Sequence, residues 1–303
     1  MGAFACLIFL LAVPSSLQTQ TPRVRPSYLR LQVLLDRAHF SPGEIDGVPG
    51  ENTRQALRAY RASHGLHEQS DFGPRTLKAL EGRVAAPTLV HYTVTEEDTR
   101  GPFVTIPNEL MDQAALPALG YQSPLEGLAE KFHVKPALLS RLNQGKDLSS
   151  PGVEIQVPNV RDDPPPKAAK IVVSKNRHTL EALNAAGRVI AEYPVTSGSQ
   201  HDPLPIGNWK VTVISPLPVF HYNPDLFWNA PEADEKAKIQ PGPNNPVGVV
   251  WIGISKEHYG IHGTPEPSLI GHAESHGCVR LTNWDAAELA KIVTVGAPVI
   301  FKE

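Results

Sequence analysis

One cysteine, set in a run that could activate it, is the most chemically suggestive feature of this 303-residue chain. The run is Ser275-His276-Gly277-Cys278-Val279-Arg280, with His276 two residues and His262 sixteen residues before the thiol. A cysteine reacts as thiolate, so a neighbouring group must take its proton, and imidazole is the usual one. Glycine beside the nucleophile permits an unusual backbone conformation and lets consecutive N–H groups face a developing oxyanion. The only other cysteine, Cys6, lies in an apolar leader, so a processed chain would hold one unpaired thiol.

Each of these residues also has a plainer reading. A lone cysteine can be a buried small hydrophobe. His262 can be a core histidine bonded to backbone, and His276 either shapes a pocket through a hydrogen bond or serves structure alone. Ser275 positions that ring or caps a turn. Arg280 suits a substrate carboxylate, because its planar fork matches one, or a structural ion pair. His258 with His262, and His272 with His276, have the four-residue spacing that binds zinc on a helix. Gly260 sits in the first pair and Gly263 beside it, the surroundings read as strand, and no H-E-x-x-H is present, so no metal or other cofactor is expected.

The elements that must hold these groups are mostly strands. Lys170–Lys175, Thr179–Ala182, Arg188–Val195, Trp209–Ile214, Val247–Ile254 and Val299–Lys302 carry β-branched or alternating patterns, with Asn184–Gly187 as a turn. One helix follows the cysteine, with Thr282 and Asp285 as a capping box and Ala286, Leu289 and Ile292 on one face. A catalytic domain is therefore expected over 170–303, joined by a Pro-rich linker, 161–169, that favours an extended arm.

The preceding chain divides further. Residues 23–84 predict a small all-α module, with Leu31, Leu34, Leu35 and Ala38 at helical spacing. Asn52 and Gln55 are expected to cap a second helix, and Asp71–Pro74 to open a third. Residues 89–160 begin and end as strands, around Leu125–Phe132 and Pro136–Leu142 as helices. Residues 1–22 contain the apolar run Ala3–Val13, too short to span a bilayer and suited to a secretory signal. An exported protein with no membrane span in its mature form is expected. With 28 basic and 31 acidic side chains the net charge is −3, which leaves no basic field for nucleic acid. The fold class expected is α+β multidomain.

Three resemblances follow from these residues. Leu31-Gln32, Asp46-Gly47, Gly50, Thr53, Ala56-Leu57 and Tyr60 resemble the helical peptidoglycan-binding domain of bacterial wall enzymes. Tyr92-Thr93-Val94, Asp98-Thr99, Leu142-Asn143 and Ile155–Pro158 resemble a LysM domain, with Arg100–Ser123 inserted and Glu97 where glycine is usual. Ser197-Gly198, Pro205–Trp209, Pro241–Gly248, Ile261–Thr264 and Ser275–Leu281 together resemble the L,D-transpeptidase catalytic domain.

That last resemblance implies acyl transfer through a thioester on Cys278, with His262 as base and the Gly263 carbonyl orienting its ring. Backbone N–H groups near His276, Gly277 and Cys278 would hold the oxyanion. The implied partners are peptidoglycan stem peptides and glycan, met by a monomer in the periplasm or cell envelope. Water in place of an amine acceptor would give carboxypeptidase action. A zinc peptidoglycan amidase, or a non-enzymatic wall-binding scaffold, would also fit beside a wall-binding module.

Overall fold

A computed structural model describes residues 24–82, 86–161 and 163–303. The signal-like stretch 1–22 lies outside the described residues. The first module is helical: α1 (Pro26–Arg37), α2 (Glu51–His64) and α3 (Pro74–Glu81). Leu31, Leu35, Phe40, Ala56, Leu57 and Tyr60 form its core. The capping expectation for α2 needs correction. Its N-cap is Gly50, with no side-chain cap, and Asn52 Nδ2 instead donates 2.9 Å to the Ile270 carbonyl, in the loop that leads to the cysteine.

Next come β1 (Leu89–Thr93), α4 (Leu110–Ala114), α5 (Pro124–Lys131), α6 (Pro136–Leu142) and β2 (Glu154–Pro158). β1 and β2 pair antiparallel, Leu89 opposite Pro158, and enclose Leu128, Leu138, Leu139, Ile155 and Val157. Leu29, Val33 and Ile45 of the first module join the same core, so the two modules share apolar surface. The inserted stretch is a strap over the catalytic part. Leu119 is buried against Tyr222 and Ile239, its N–H donates to Pro241 O (3.0 Å), and its carbonyl accepts from Asn244 N (3.0 Å).

The remainder is built on a sheet. Its strands are β3 (Lys170–Ser174), β4 (Thr179–Leu183), β5 (Val189–Pro194), β6 (Thr196–Ser197) and β7 (Gly207–Pro216), then, after the small ribbon of β8 (Phe220–Tyr222) and β9 (Ala237–Ile239), β10 (Val250–Ile254), β11 (Gly260–His262), β12 (Val279–Arg280) and, beyond α7 (Asn283–Ile292), β13 (Pro298–Lys302). The nine-stranded order is β5-β4-β3-β13-β7-β10-β11-β12-β6. β13 runs parallel to β3, and β11 parallel to β12. α7 packs its Ala286, Leu289 and Ile292 face onto Ile252, Ile261 and Val279. That burial fixes the strands carrying the site, since each fully buried aliphatic side chain contributes about 1.5–3 kcal/mol.

The Pro-rich linker does not stand free as an extended arm. Arg161 is buried, its side chain 4% exposed, and its guanidinium reaches Asp36 of α1 and Asp285 and Glu288 of α7, each at 2.6 Å. Ala168 N and Ala169 N bond to Ile292 O and Leu183 O.

Candidate active site

Strand register places the two central residues. β11 and β12 are parallel, with Ile261 opposite Val279 and His262 opposite Arg280. Side chains alternate along a strand, so Cys278, one residue before β12, shares its sheet face with His262 and Arg280. The thiol therefore enters the strand that adjoins the one carrying the imidazole, two residues before the position opposite His262.

His262 is buried and its orientation is fixed. Nδ1–H donates to the Gly263 carbonyl at 2.7 Å, which leaves Nε2 as the ring's lone-pair nitrogen. The ring stacks on Trp251 of β10, its partner in register, with centroids 5.5 Å apart and planes at 19°. Desolvation first, and the Arg280 charge second, push the imidazole pKa down to about 3, against the Gly263 bond that favours the cation. Gly263 must be glycine, because a Cβ there would lie 2.2 Å from Asn283 Oδ1. Asn283 accepts from Val249 N and donates to Pro243 O, tying α7 to the loop before β10.

Cys278 is half-buried, and its Sγ donates weakly to His258 O at 3.8 Å. Burial raises the thiol pKa, with the Gly260 N–H and Arg280 opposing and Asp202 reinforcing. The resting pair is therefore neutral thiol and neutral imidazole, not a preformed ion pair.

The turn before the thiol is tightly specified. Gly277 has φ +92°, and a Cβ would meet the Tyr259 ring at 2.5 Å. Ser275 is buried; its hydroxyl accepts from Gly198 N (2.6 Å) and donates to Cys278 O (2.7 Å). It thereby caps the turn rather than holding the His276 ring. His276 Nε2–H donates to Asn229 Oδ1 at 2.9 Å, and the ring meets Phe227 edge-on at 5.1 Å. The N–H groups of His276 and Gly277 donate to no backbone acceptor among the described residues.

Several polar atoms around this turn are buried and have no hydrogen-bond partner among the described residues: Ser197 Oγ, Asp202 Oδ2, His276 Nδ1 and Arg280 Nε. Native proteins rarely leave such groups unmet except where a ligand or water completes them. No structural ion pair to Arg280 is present among the described residues, and burial lowers its pKa while Cys278 and Glu266 oppose.

The histidine pairs with zinc-like spacing diverge. His258 sits on an exposed turn beside Glu257, His262 is under Trp251, and His272 is exposed while His276 faces Asn229. No group of three or more His, Cys, Asp or Glu side chains converges among the described residues.

Sequence patterns alone did not single out Tyr259, Trp251, Asn283, Asn229 or Phe227. Phe227-Trp228 did carry a signal, two adjacent aromatic residues in a loop otherwise rich in Pro, Asp, Asn and Glu.

Comparison with known proteins places these features in a family. The L,D-transpeptidase catalytic domain family matches residues 168–301, and a peptidoglycan binding domain family matches 25–80. YkuD of Bacillus licheniformis, a relative that carries the L,D-transpeptidase name, is 33% identical over 177 residues, covering 58% of this chain and 91% of its own. YbiS of Escherichia coli strain K12, also named for an L,D-transpeptidase, is 28% identical over 225 residues, covering 72% of this chain and 73% of its own. Among solved structures, an L,D-transpeptidase from Mycobacterium smegmatis aligns with TM-score 0.37 and 22% identity over 50% of this chain and 64% of that one. With a turn that presents one thiol, a buried imidazole on the adjoining strand and a relative matched along 91% of its length, the chain belongs to the L,D-transpeptidase family, enzymes that act on peptidoglycan.

Proposed function

We propose that Cys278 is the nucleophile of this enzyme and that His262 is its base. Nε2 of His262 takes the thiol proton as Sγ bonds to the carbonyl joining the diamino residue of a stem tetrapeptide to its terminal D-alanine. The C–N bond then breaks, the same imidazole returns the proton to the leaving amine, and a thioester remains. A second stem peptide's amine attacks that thioester, the S–C bond breaks and the thiol regains its proton, leaving a crosslink. The N–H groups of His276, Gly277 and Cys278 hold the oxyanion, and Arg280 takes a substrate carboxylate. Removing one oxyanion donor typically costs about 3 kcal/mol of barrier.

The observation that carries this reading is the tautomer. The Nδ1–Gly263 bond leaves Nε2 unprotonated on the sheet face shared with Cys278. A neutral base beside a neutral thiol fits proton transfer concerted with attack. The working units are then 23–84 as wall anchor, 89–160 as a LysM-like spacer and 170–303 as the catalyst, in an exported protein at the cell envelope.

The test is release of D-alanine from a purified tetrapeptide donor. Wild type should release it, Cys278→Ala should not, and His262→Ala should lower the rate by about a hundredfold or more. Turnover retained by Cys278→Ala would end the assignment.

A further inference from the structure

Two adjacent aromatic residues of the loop between β8 and β9 are used differently. Phe227 packs inward, its ring 5.5 Å from Tyr222 and 5.1 Å from His276. Trp228 is 61% exposed. The loop that carries them is ordered by its own bonds. Asn223 caps the turn Pro224–Leu226, Phe227 N donates to Pro224 O at 3.0 Å, and the Tyr222 hydroxyl donates to Asp234 at 2.7 Å. A single apolar residue in water is ordinary. This one is held in place, stacked on one side and set beside the nucleophile turn.

Its stacking partner is His201, in the loop between β6 and β7, with centroids 4.3 Å apart and planes at 25°. That loop is closed by Ser199 N to Asp202 O and Asp202 N to Ser199 Oγ, both at 2.9 Å. Gly198 N in turn reaches the Ser275 hydroxyl, which bonds Cys278 O. The indole also lies 6.3 Å from the ring of His276, two residues before the thiol. Both members of the stacked pair are therefore tied to the nucleophile turn, by separate routes. With one face on His201 and so much of its surface in water, the indole keeps its other face open.

Peptidoglycan offers peptide and sugar. Peptide backbone is polar on every side. A pyranose with equatorial substituents has a face of C–H groups, slightly positive, which suits the negative face of an indole and leaves the ring's polar groups in water. Length agrees as well. Three stem residues separate the sugar from the carbonyl attacked by Cys278, about 10 Å when extended. The step from indole to His276 and the two residues of chain that follow span distances of the same order.

From this juxtaposition we infer that Trp228, backed by His201, is a sugar subsite that takes the pyranose ring to which the donor stem is attached. This subsite rests on the proposed acyl transfer and adds a second point at which the donor is held.

Two donors test it, a disaccharide-tetrapeptide and the same tetrapeptide with an N-acetyl group in place of the sugar, read by D-alanine release from the full chain. Wild type should favour the sugar-bearing donor by about fivefold or more in kcat/KM, the size expected of one stacked contact. Trp228→Ala should bring the ratio of the two donors to within about twofold, through KM more than kcat, and Trp228→Phe should keep part of the preference. Two results overturn the inference: a wild type indifferent to the sugar, or a Trp228→Ala variant that keeps the wild-type ratio, which would move sugar recognition to another module. The wild-type comparison and His201→Ala, which should also lower the ratio, decide the matter if Trp228→Ala does not fold. Release from neither donor by wild type would instead overturn the acyl-transfer reading, and the subsite with it.

Discussion

Two arginines near α7 treat charge in opposite ways. Arg161 is buried and saturated: three carboxylates at 2.6 Å surround its guanidinium. Those carboxylates are themselves satisfied, by His133 on Asp36, Ser41 on Asp285, and His39 and Tyr193 on Glu288. Arg280, a few residues before the helix, has a buried Nε with no partner among the described residues, beside other open polar atoms. A network closed on itself joins the helical module, the linker and the catalytic sheet. An open one is a place for another molecule. The difference separates scaffold from site more reliably than the presence of charge does.

The sharpest way to break this contrast is to remove each arginine in turn. Arg161→Met strands three buried carboxylates and should cost about 3–5 kcal/mol, seen in urea unfolding. Arg280→Met removes a charge with no partner to strand, so stability should change by less than about 1 kcal/mol while turnover collapses. Equal losses of stability would erase the distinction.

Next in size is Gly277→Ala. The left-handed φ and the Tyr259 ring 2.5 Å from a new Cβ should shift the thiol, and displacements near 1 Å cost about a hundredfold in rate. Single-turnover kinetics would show it. Ser275→Ala should be milder, about 1–3 kcal/mol of stability, because Gly198 N loses a buried acceptor. A thermal melt checks that figure.

Smallest are the pH effects. Asp36 is raised by desolvation but held at about 2 by Arg161 and His133, below its unfolded value. The stability it contributes is fully present above about pH 4 and is lost as pH falls towards 2, so acid melts of wild type should show that loss and Arg161→Met should not. His262, at about 3, is a competent base through the mildly acidic range. The acid limb of kcat/KM should therefore lie well below the usual imidazole region. Arg280→Gln, which removes a repelling cation, should move that limb upward.

Local rules made some of this legible in the sequence and long-range contacts hid the rest. Alternating β-branched residues gave β3, β7 and β13 within a few positions, and Thr282 does cap α7 by accepting from Asp285 N. The other half of that capping box failed, because the Asp285 carboxylate serves Ser41 and Arg161 instead. Asn52 left its helix end for Ile270 for the same reason. Arg161 stood at the head of a Pro-rich run that composition alone marks as a linker. Two of its partners, Asp36 and Asp285, lie 125 and 124 residues away, beyond any local pattern. The active turn was readable because Ser275, Gly277 and Cys278 stand together in one short run, although Ser275 also reaches Gly198 and Gly277 faces Tyr259. Tyr259 was not, since only folding brings its loop to that turn.

The most direct test is peptide-level mass spectrometry of protein quenched during turnover with a stem tetrapeptide. The expected result is an acyl group, the donor less D-alanine, on the peptide containing Cys278, and its disappearance when an amine acceptor is added. Turnover with an unmodified Cys278, or with the acyl group on another residue, would contradict a thioester at this sulfur.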